Sequence, residues 1–173
     1  DDACWLVTLV ENLLSITRID NGTLQLAEQP ELVADVVREA LQHVDRRAGR
    51  RRVDVELEDE LLMADMDARL IVQVIINLVN NAVSYTPADG RIVVSARRVV
   101  EHDRPRVRIA VADEGPGISE EDRKHIFDMF YNGSTGRRGG KSGDFKRGMG
   151  LGLSLCRSIV EVHGGTLDVR NVN

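Results

Sequence analysis

The stretch of residues 67–85, DARLIVQVIINLVNNAVSY, constrains the fold more than any other part of the chain. It is long and mostly apolar, which predicts a helix packed into a hydrophobic core. A row of uncharged polar residues nevertheless recurs at every fourth position and therefore shares one side of that helix. The row consists of Gln73, Asn77, Asn81 and Tyr85. Because a buried amide without a hydrogen-bond partner costs roughly 1–3 kcal/mol, the row must face either water or a ligand.

Composition narrows the classes of function. The 173 residues are 42% hydrophobic and 3% aromatic, which predicts one domain with an aliphatic core and a short appended piece. A net charge of −5 argues against general nucleic-acid binding. Cys4 and Cys156 lack metal or redox spacing and fit inert core positions in a reducing cytoplasm. The sequence contains no signal peptide and no apolar run long enough to cross a membrane. We expect a piece of a longer protein, because the chain opens inside a helical pattern and ends on a strand-like one.

The periodicity elsewhere alternates between helix and strand and predicts an α/β fold. Helices are predicted over residues 4–19, 30–48, 67–85 and 151–162, with Asp67 as an N-cap and Ser119 capping a further short helix. Strands are predicted over residues 23–28, 53–57, 61–66 and 166–169, and an antiparallel hairpin over residues 91–100 and 106–112. The first helix is too apolar to stand alone. It packs either on the domain or, as we expect, on a partner helix.

Two glycine clusters carry the strongest local signals. Residues 113–118, DEGPGI, follow a predicted strand, so Asp113 can face a pocket while the glycines let backbone approach a ligand. The alternative is a tight turn with a capping acid. Residues 148–153, GMGLGL, precede a helix whose free N–H groups suit a phosphate. The second cluster matches neither a Walker loop nor a dinucleotide-binding fingerprint.

A loop rich in glycine and basic residues lies between these clusters, over residues 131–148. Its cations are Arg137, Arg138, Lys141, Lys146 and Arg147. A basic loop beside a phosphate-receptive helix end suggests a lid over a polyphosphate, and the alternative is a disordered linker.

Taken in order, these motifs resemble the ATP-binding catalytic domain of sensor histidine kinases. Residues 77–82 with Tyr85 resemble the N box, residues 113–117 the first glycine box, residues 127–131 the F box, and residues 148–153 the second glycine box. Residues 12–22 and 155–165 are similar to Kdp-type potassium-responsive sensor kinases. The resemblance implies a two-layer α/β sandwich with a mixed sheet, the ATP-binding fold of histidine kinases, gyrases and heat-shock chaperones. Residues 1–20 would be the tail of the dimerisation and phosphoacceptor helical hairpin, and residues 21–173 the catalytic domain without its last strand.

The resemblance also assigns roles to residues. Asn81 would bind Mg²⁺, and Asn77 would position phosphate, metal or water, which makes these two the catalytic pair. Asp113 would accept a hydrogen bond from the adenine amino group. The residues assigned to the cofactor ATP are Asn77, Asn81, Tyr85, Asp113, Gly115, Gly117, Ile118, Tyr131, Lys146, Arg147, Gly148, Met149, Gly150, Leu151, Gly152 and Leu153.

Three positions depart from the family pattern. Ser84 stands where many relatives carry Lys or Arg, Asn132 where an arginine is common, and Met149 where a small Thr or Ser is usual. These changes would weaken ATP binding or shift the phosphate contacts to the lid. Because Asn81 and Asp113 are unaffected, binding is still expected.

The implied function is transfer of the ATP γ-phosphoryl group to a histidine on a domain outside this chain, for relay to an aspartate of a response regulator. The histidines here are His43, His102, His125 and His163. In the family, the acceptor histidine lies on a helix and is followed by an acid and then by apolar residues, and none of these four histidines fits that pattern. His102 is followed by an acid, but it lies in the predicted hairpin turn. The implied partners are the protein's own phosphoacceptor domain, a receiver domain and a second copy in a homodimer, with no nucleic acid. The implied place is the cytoplasmic portion of an inner-membrane sensor. The alternatives are an ATPase of the wider superfamily or a degenerate nucleotide-binding module.

Overall fold

The computed structural model describes residues 2–44, 52–131 and 150–172, with side chains from residue 10 onward. The helices are α1 (Asp2–Asp20), α2 (Val33–His43), α3 (Ala68–Tyr85), α4 (Glu120–His125) and α5 (Gly152–Val162). The strands are β1 (Gln29–Leu32), β2 (Arg52–Leu57), β3 (Met63–Met66), β4 (Arg91–Glu101) and β5 (Arg104–Asp113). The chain divides into two compact units, a sheet unit of Leu26–Pro116 and a helical unit of Asp1–Gln25 with Gly117–Asn173. No helix within these described ranges is long and apolar enough to cross a membrane.

The sheet unit is a two-layer α/β arrangement. Its main sheet has the order β2-β4-β5, in which β2 runs parallel to β4 and β4 runs antiparallel to β5. The sheet is therefore mixed, as expected. Helices α2 and α3 pack together over it, with Val37 of α2, Val79 of α3 and Val94 of β4 all fully buried in one core. The alternation of apolar residues in β4 and the helical period in α3 place these side chains on facing surfaces.

The predicted hairpin is confirmed. Glu101 pairs with Arg104, so the connection is a two-residue turn. His102 and Asp103 have φ angles of 50° and 61°, the left-handed values that a type I′ hairpin turn requires at both positions. His102 therefore lies in a tight turn and not on a helix, as the sequence predicts.

Helix α3 begins after Asp67, the predicted N-cap residue. Asp67 occupies the N-cap position but makes no side-chain cap hydrogen bond. Its buried carboxylate instead accepts hydrogen bonds from the Ala27 N–H at 3.2 Å and from Arg69 Nη2 at 3.1 Å. Burial raises the pKa of Asp67, and the hydrogen bonds from Arg69 and Ala27 outweigh that effect, so its pKa lies below the ordinary value.

Two predicted strands are wrong and one helix is displaced. Residues 23–28 form no strand, because the N–H groups of Thr23 and Leu24 donate to the Arg18 carbonyl and complete the end of α1. The strand follows at Gln29–Leu32, where Pro30 lies in β1, paired with β3 alone. Helix α2 consequently begins at Val33 and not at Pro30. The helix also ends earlier than predicted, at His43, because Val44 is already extended. Residues 45–48, which complete the predicted range, lie outside the described residues.

The helical unit contains α1, α4 and α5. Helix α1 contacts α5. Among the described side chains of α1, that of Ile16 is buried, with 4% of its surface exposed. Val10 and Leu14 are about half exposed, at 51% and 49%. The structure therefore shows packing of α1 within its own unit, and pairing with a partner helix stays a prediction.

Short-range signals in the helical unit behave as predicted. The Ser119 hydroxyl accepts the Asp122 N–H at 3.0 Å and caps α4. At the end of α5, Gly164 takes a φ of 66° and donates to the Glu161 carbonyl. The exception is the strand predicted over residues 166–169, which does not form. There the Val169 N–H donates to the Asp168 side chain at 2.8 Å instead of to a neighbouring strand.

Candidate functional site

The polar row of α3 contains one unusual group. Among the described side chains, the Nδ2 atom of Asn77 is the one buried polar atom that has no hydrogen-bond partner. A buried amide donor without an acceptor destabilises the fold by roughly 1–3 kcal/mol. Such a group requires an explanation, and a bound water, ion or ligand would supply one. Asn81, one turn further along, is partly buried, and Tyr85 at the end of α3 is 48% exposed. Ser84 directs its hydroxyl to the Asn80 carbonyl at 2.8 Å.

The end of β5 brings three predicted site residues together. Oδ1 of Asp113 accepts the Gly115 N–H at 2.8 Å, which folds the turn back over the carboxylate. A Cβ atom on Gly115 would lie 2.5 Å from that oxygen and 3.2 Å from the Tyr85 carbonyl oxygen. A side chain at this position would force the Asp113 carboxylate to move, and glycine allows the turn to approach the end of α3. Asp113, Gly115 and Tyr85 therefore converge within the sheet unit, and their contact with a nucleotide stays a prediction.

Glu114 holds this turn from the other side. Its Oε2 accepts the Arg91 N–H at 2.9 Å, and its own N–H donates to the Arg91 carbonyl at 3.3 Å. The Arg91 guanidinium in turn donates to Glu56 of β2 at 3.0 Å and to Asp54. Sequence analysis missed this arrangement, because acidic residues that alternate along β2 reveal no partner until the register of β2 and β4 is known.

The charges in this arrangement reinforce one another. A hydrogen bond from Arg52, followed by one from Arg91, lowers the pKa of Asp54 below its ordinary value. The hydrogen bond to Asp54 raises the pKa of Arg91. Both groups therefore stay charged near neutral pH, and they tie β2 to the start of β4.

The helical unit carries the rest of the first glycine box. Asn171 hydrogen-bonds the main chain of Ile118 twice, since its Oδ1 accepts the Ile118 N–H at 2.9 Å and its Nδ2 donates to the Ile118 carbonyl at 2.8 Å. Gly117 has a φ of 73°, and a Cβ atom there would lie 3.0 Å from Oδ1 of Asn171. Sequence analysis missed Asn171, and no local pattern around it could have revealed the contact.

Tyr131 is tied to its own unit. Its hydroxyl donates to Oδ1 of buried Asp122 at 2.6 Å, and its ring lies 5.6 Å from that of His125. The Tyr131 hydroxyl is thus bonded to a residue of α4, and contact of Tyr131 with a cofactor stays a prediction. Met129 and Phe130, in the same F-box segment, are 51% and 60% exposed.

The described part of the second glycine box lies against this segment. Gly150 has a φ of 67°, and a Cβ atom there would lie 2.5 Å from the Tyr131 carbonyl oxygen. Leu151 is buried and makes no side-chain cap at the start of α5, so only its backbone is available to a phosphate. Gly152 and Leu153 form the first turn of α5. The remaining predicted contacts lie outside the described residues, namely Lys146, Arg147, Gly148 and Met149, as does the departure at Asn132.

Cys156 is fully buried in α5, as predicted, and the side chain of Cys4 lies outside the description. Within residues 2–44, 52–131 and 150–172, no group of three His, Cys, Asp or Glu residues could hold a metal ion.

Comparison with known protein families adds independent support. The family described as histidine kinase-, DNA gyrase B-, and HSP90-like ATPase matches residues 66–173. The sensor protein KdpD of Clostridium acetobutylicum is 39% identical over 171 residues, which cover 99% of this chain and 18% of that protein. KdpD of Escherichia coli K12 is 36% identical over 163 residues, 94% of this chain and 17% of that protein. The chain thus spans less than a fifth of these curated relatives.

Solved structures show the same similarity. The nucleotide-free catalytic domain of histidine kinase ThkA aligns with a TM-score of 0.67 at 28% identity, covering 87% of this chain and 89% of that one. Full-length ShkA in complex with AMPPNP aligns with a TM-score of 0.73 at 25% identity, covering 92% and 31%. ThkA in complex with the response regulator TrrA aligns with a TM-score of 0.64 at 26% identity, covering 92% and 43%.

Proposed function

We propose that this chain, which belongs to the family of histidine kinase-, DNA gyrase B- and HSP90-like ATPases, is the ATP-binding catalytic domain of a two-component sensor histidine kinase. One observation carries the proposal. Asp113, Gly115 and Tyr85 converge at the end of the helix that also holds the unpaired amide of Asn77. An acceptor for a base and a donor for phosphate or water thus belong to one compact unit.

The described residues divide the work of binding. Asp113 accepts a hydrogen bond from the adenine amino group, which selects adenine over guanine. The Nδ2 atom of Asn77 donates to a phosphate oxygen or to a bound water. The Asn81 side-chain oxygen is a hard ligand suited to Mg²⁺, which when bound neutralises the charge of the phosphates. Gly117 and Ile118 lie against the base. Catalysis by such a site rests on positioning and charge stabilisation, because phosphoryl transfer needs little covalent chemistry from the protein.

The remaining phosphate contacts are assigned to the second glycine box and the lid. Backbone N–H groups at the start of α5 bind the phosphates. The positive charges of Lys146 and Arg147 in the lid neutralise the negative charge of the phosphates. Gly148 and Met149 contact the phosphates together with these groups. Tyr131 of the F box is also assigned to the ATP site. The position of the second glycine box at the start of α5 supports this assignment.

The acceptor histidine belongs to another domain of the same protein. His102 is held in a two-residue turn, which has no place for the helix that an acceptor needs. The proposed route takes the γ-phosphoryl group to a histidine on the dimerisation domain, in a homodimer, and then to a receiver-domain aspartate. The similarity to ThkA, solved in complex with a response regulator, supports that partner. The similarity to KdpD supports a Kdp-type sensor whose cytoplasmic portion contains this chain.

Calorimetric titration with ATP and ADP, with and without Mg²⁺, tests the binding step. We expect binding of both nucleotides, with ATP binding strengthened by Mg²⁺. Asp113→Ala should abolish binding in both conditions, whereas Asn81→Ala should abolish only the gain from Mg²⁺. Absence of nucleotide binding by the wild-type chain would refute the proposal and would favour a degenerate module.

A transfer assay tests the kinase step. The wild-type chain and a separately produced acceptor-helix domain should together yield acid-labile phosphohistidine from γ-labelled ATP. The chain alone should not become labelled. Rapid ATP hydrolysis without the acceptor domain would point to a general ATPase of the family instead.

A further inference from the structure

Asn171 acts on Ile118 as a neighbouring strand would. Its side-chain amide offers one acceptor and one donor, and these meet the N–H and the C=O of the same residue at 2.9 Å and 2.8 Å. Paired residues of two antiparallel strands exchange two main-chain hydrogen bonds in the same way. A side chain thus replaces the strand partner, across 53 residues of sequence.

Gly117 is fitted to the same contact. Its φ of 73° is strained for other residues, and a Cβ atom would approach Oδ1 of Asn171 to 3.0 Å. The following residue is held as well, because Ser119 caps α4 through its bond to the Asp122 N–H. Ile118 therefore lies between two fixed points, the Asn171 amide and the start of α4.

Because these groups are not fully buried, the effect of Asn171 on the orientation of Gly117 and Ile118 can be distinguished from its effect on the global stability. Asn171 is exposed and Ile118 is half-buried. If the amide were removed, water could replace its hydrogen bonds, so the global stability should change little. The orientation of Gly117 and Ile118 would nevertheless become less defined, and a less ordered binding segment must be ordered again when a ligand binds.

We propose that Asn171 is a positioning residue for the base-binding segment formed by Gly117 and Ile118. The proposal rests on the proposed function, since it is there that these two residues lie against the adenine. It predicts that Asn171 affects the affinity for adenosine, ADP and ATP by the same factor. The reason is that the three ligands share the adenine base and differ only in their phosphates.

The test compares Asn171→Leu, Asn171→Asp and wild type by calorimetric titration. Asn171→Leu, which removes both hydrogen bonds, should weaken adenosine, ADP and ATP binding about 10-fold each, as expected for the loss of a small number of ordered contacts. Asn171→Asp keeps the acceptor for the Ile118 N–H and should weaken binding about 3-fold on the same reasoning. Asn21→Leu, at an exposed asparagine after α1, is the matched control and should bind as wild type.

Hydrogen exchange of the Ile118 amide gives a second readout that needs no nucleotide. The amide should be protected in wild type and should exchange about 10-fold faster in Asn171→Leu, with an unchanged thermal midpoint. If wild type binds nucleotide and both Asn171 variants bind equally well, the positioning role is overturned while the proposed function stands. If wild type binds no nucleotide, the proposed function is overturned and the positioning role with it. If Asn171→Leu does not fold, Asn171→Asp decides by the same criterion.

Discussion

At the residue scale, Asn77 and Gly115 show how the site conflicts with stability. The Nδ2 atom of Asn77 is buried although the residue as a whole is only partly buried, and this donor has no acceptor among the described residues. Gly115 lies in a turn where any larger residue would displace the Asp113 carboxylate. Neither residue is the most stable choice for an empty protein. Both are explained if a ligand meets the amide and the carboxylate.

We predict that Asn77→Leu makes the nucleotide-free protein more stable and unable to bind. Leucine has the same branching and the same number of side-chain heavy atoms and needs no hydrogen bond, so the free energy of unfolding should rise by about 1 kcal/mol. The measurement is urea unfolding with and without ATP. Asn81→Leu is the control, because Asn81 has no unpaired buried atom to remove. That variant should lose only the part of the ATP effect that requires Mg²⁺, without any gain in stability. Destabilisation by Asn77→Leu would contradict the assignment.

We predict that Gly115→Ala reduces ATP affinity at least about 10-fold, because its methyl group would force the Asp113 carboxylate away from a separation of 2.5 Å. The control is Gly164→Ala, where the added Cβ meets nothing within 4 Å but the φ of 66° is strained. That variant should lose about 1 kcal/mol of stability and keep its affinity. Calorimetric titration and thermal unfolding separate the two effects. Equal affinities of Gly115→Ala and wild type would show that the carboxylate position is unimportant.

At the element scale, α3 organises the sheet unit through its two ends. At its start, the Asp67 carboxylate bonds the Ala27 N–H and so fastens the segment that leads into β1. At its end, the Thr86 hydroxyl and N–H both donate to the Ala82 carbonyl, at 2.6 Å and 2.9 Å. Pro87 follows and prevents another turn. The helix therefore stops where Tyr85 can lie beside the glycine turn.

We predict that Asp67→Asn lowers the free energy of unfolding at pH 7 by about 1 kcal/mol, because the variant keeps an acceptor for Ala27 but loses the charge that pairs with Arg69. The pKa of Asp67 is lowered in the folded state, so its contribution is present above the unfolded value near 3.8 and is lost as pH falls through the folded pKa. The difference between variant and wild type should therefore shrink below about pH 4.

Urea unfolding between pH 7 and pH 3 measures this difference. Asp65→Asn is the matched control, since Asp65 is an exposed carboxylate two residues earlier. It should change the stability by less than about 0.5 kcal/mol at pH 7. A difference for Asp67→Asn that grows as the pH falls would contradict the lowered pKa.

At the scale of the whole molecule, the chain forms two compact units. The sheet unit contains the N box and Asp113, and the helical unit contains α1, the F box and the start of α5. In the helical unit, α1 is an integral part, since it contacts α5 and buries Ile16. The exposed Val10 and Leu14 show that this contact leaves part of the apolar surface of α1 uncovered.

We predict that Ile16→Ala destabilises the helical unit by about 2–4 kcal/mol at any protein concentration, because it removes buried side-chain volume. Leu14→Ala should change stability by less than about 0.5 kcal/mol, because Leu14 is half exposed. Thermal unfolding at several protein concentrations measures both. A loss on Leu14→Ala that depends on protein concentration would show instead that α1 also pairs with a partner helix.

Local patterns predicted much of this fold. The period of α3, the alternation in β4 and β5 and the Ser119 cap are each repeated or completed within a few residues, so sterics and burial act on them directly. The convergence of Asp113 with Gly115 is equally local. The strands predicted over residues 23–28 and 166–169 failed because alternation shows only that a segment can pair, and pairing needs a free neighbour.

The sequence by itself determined the long polar-striped helix, the hairpin and the order of the glycine motifs, and with them the family. Only the tertiary structure decided which distant groups meet. Three hydrogen-bonded pairs show this, with separations of 53, 23 and 40 residues along the sequence: Asn171 with Ile118, Glu114 with Arg91, and Ala27 with Asp67. The physical reason is that a hydrogen bond between distant residues depends on the path of the whole chain between them. Local periodicity records which face of an element is buried, but not what lies opposite that face.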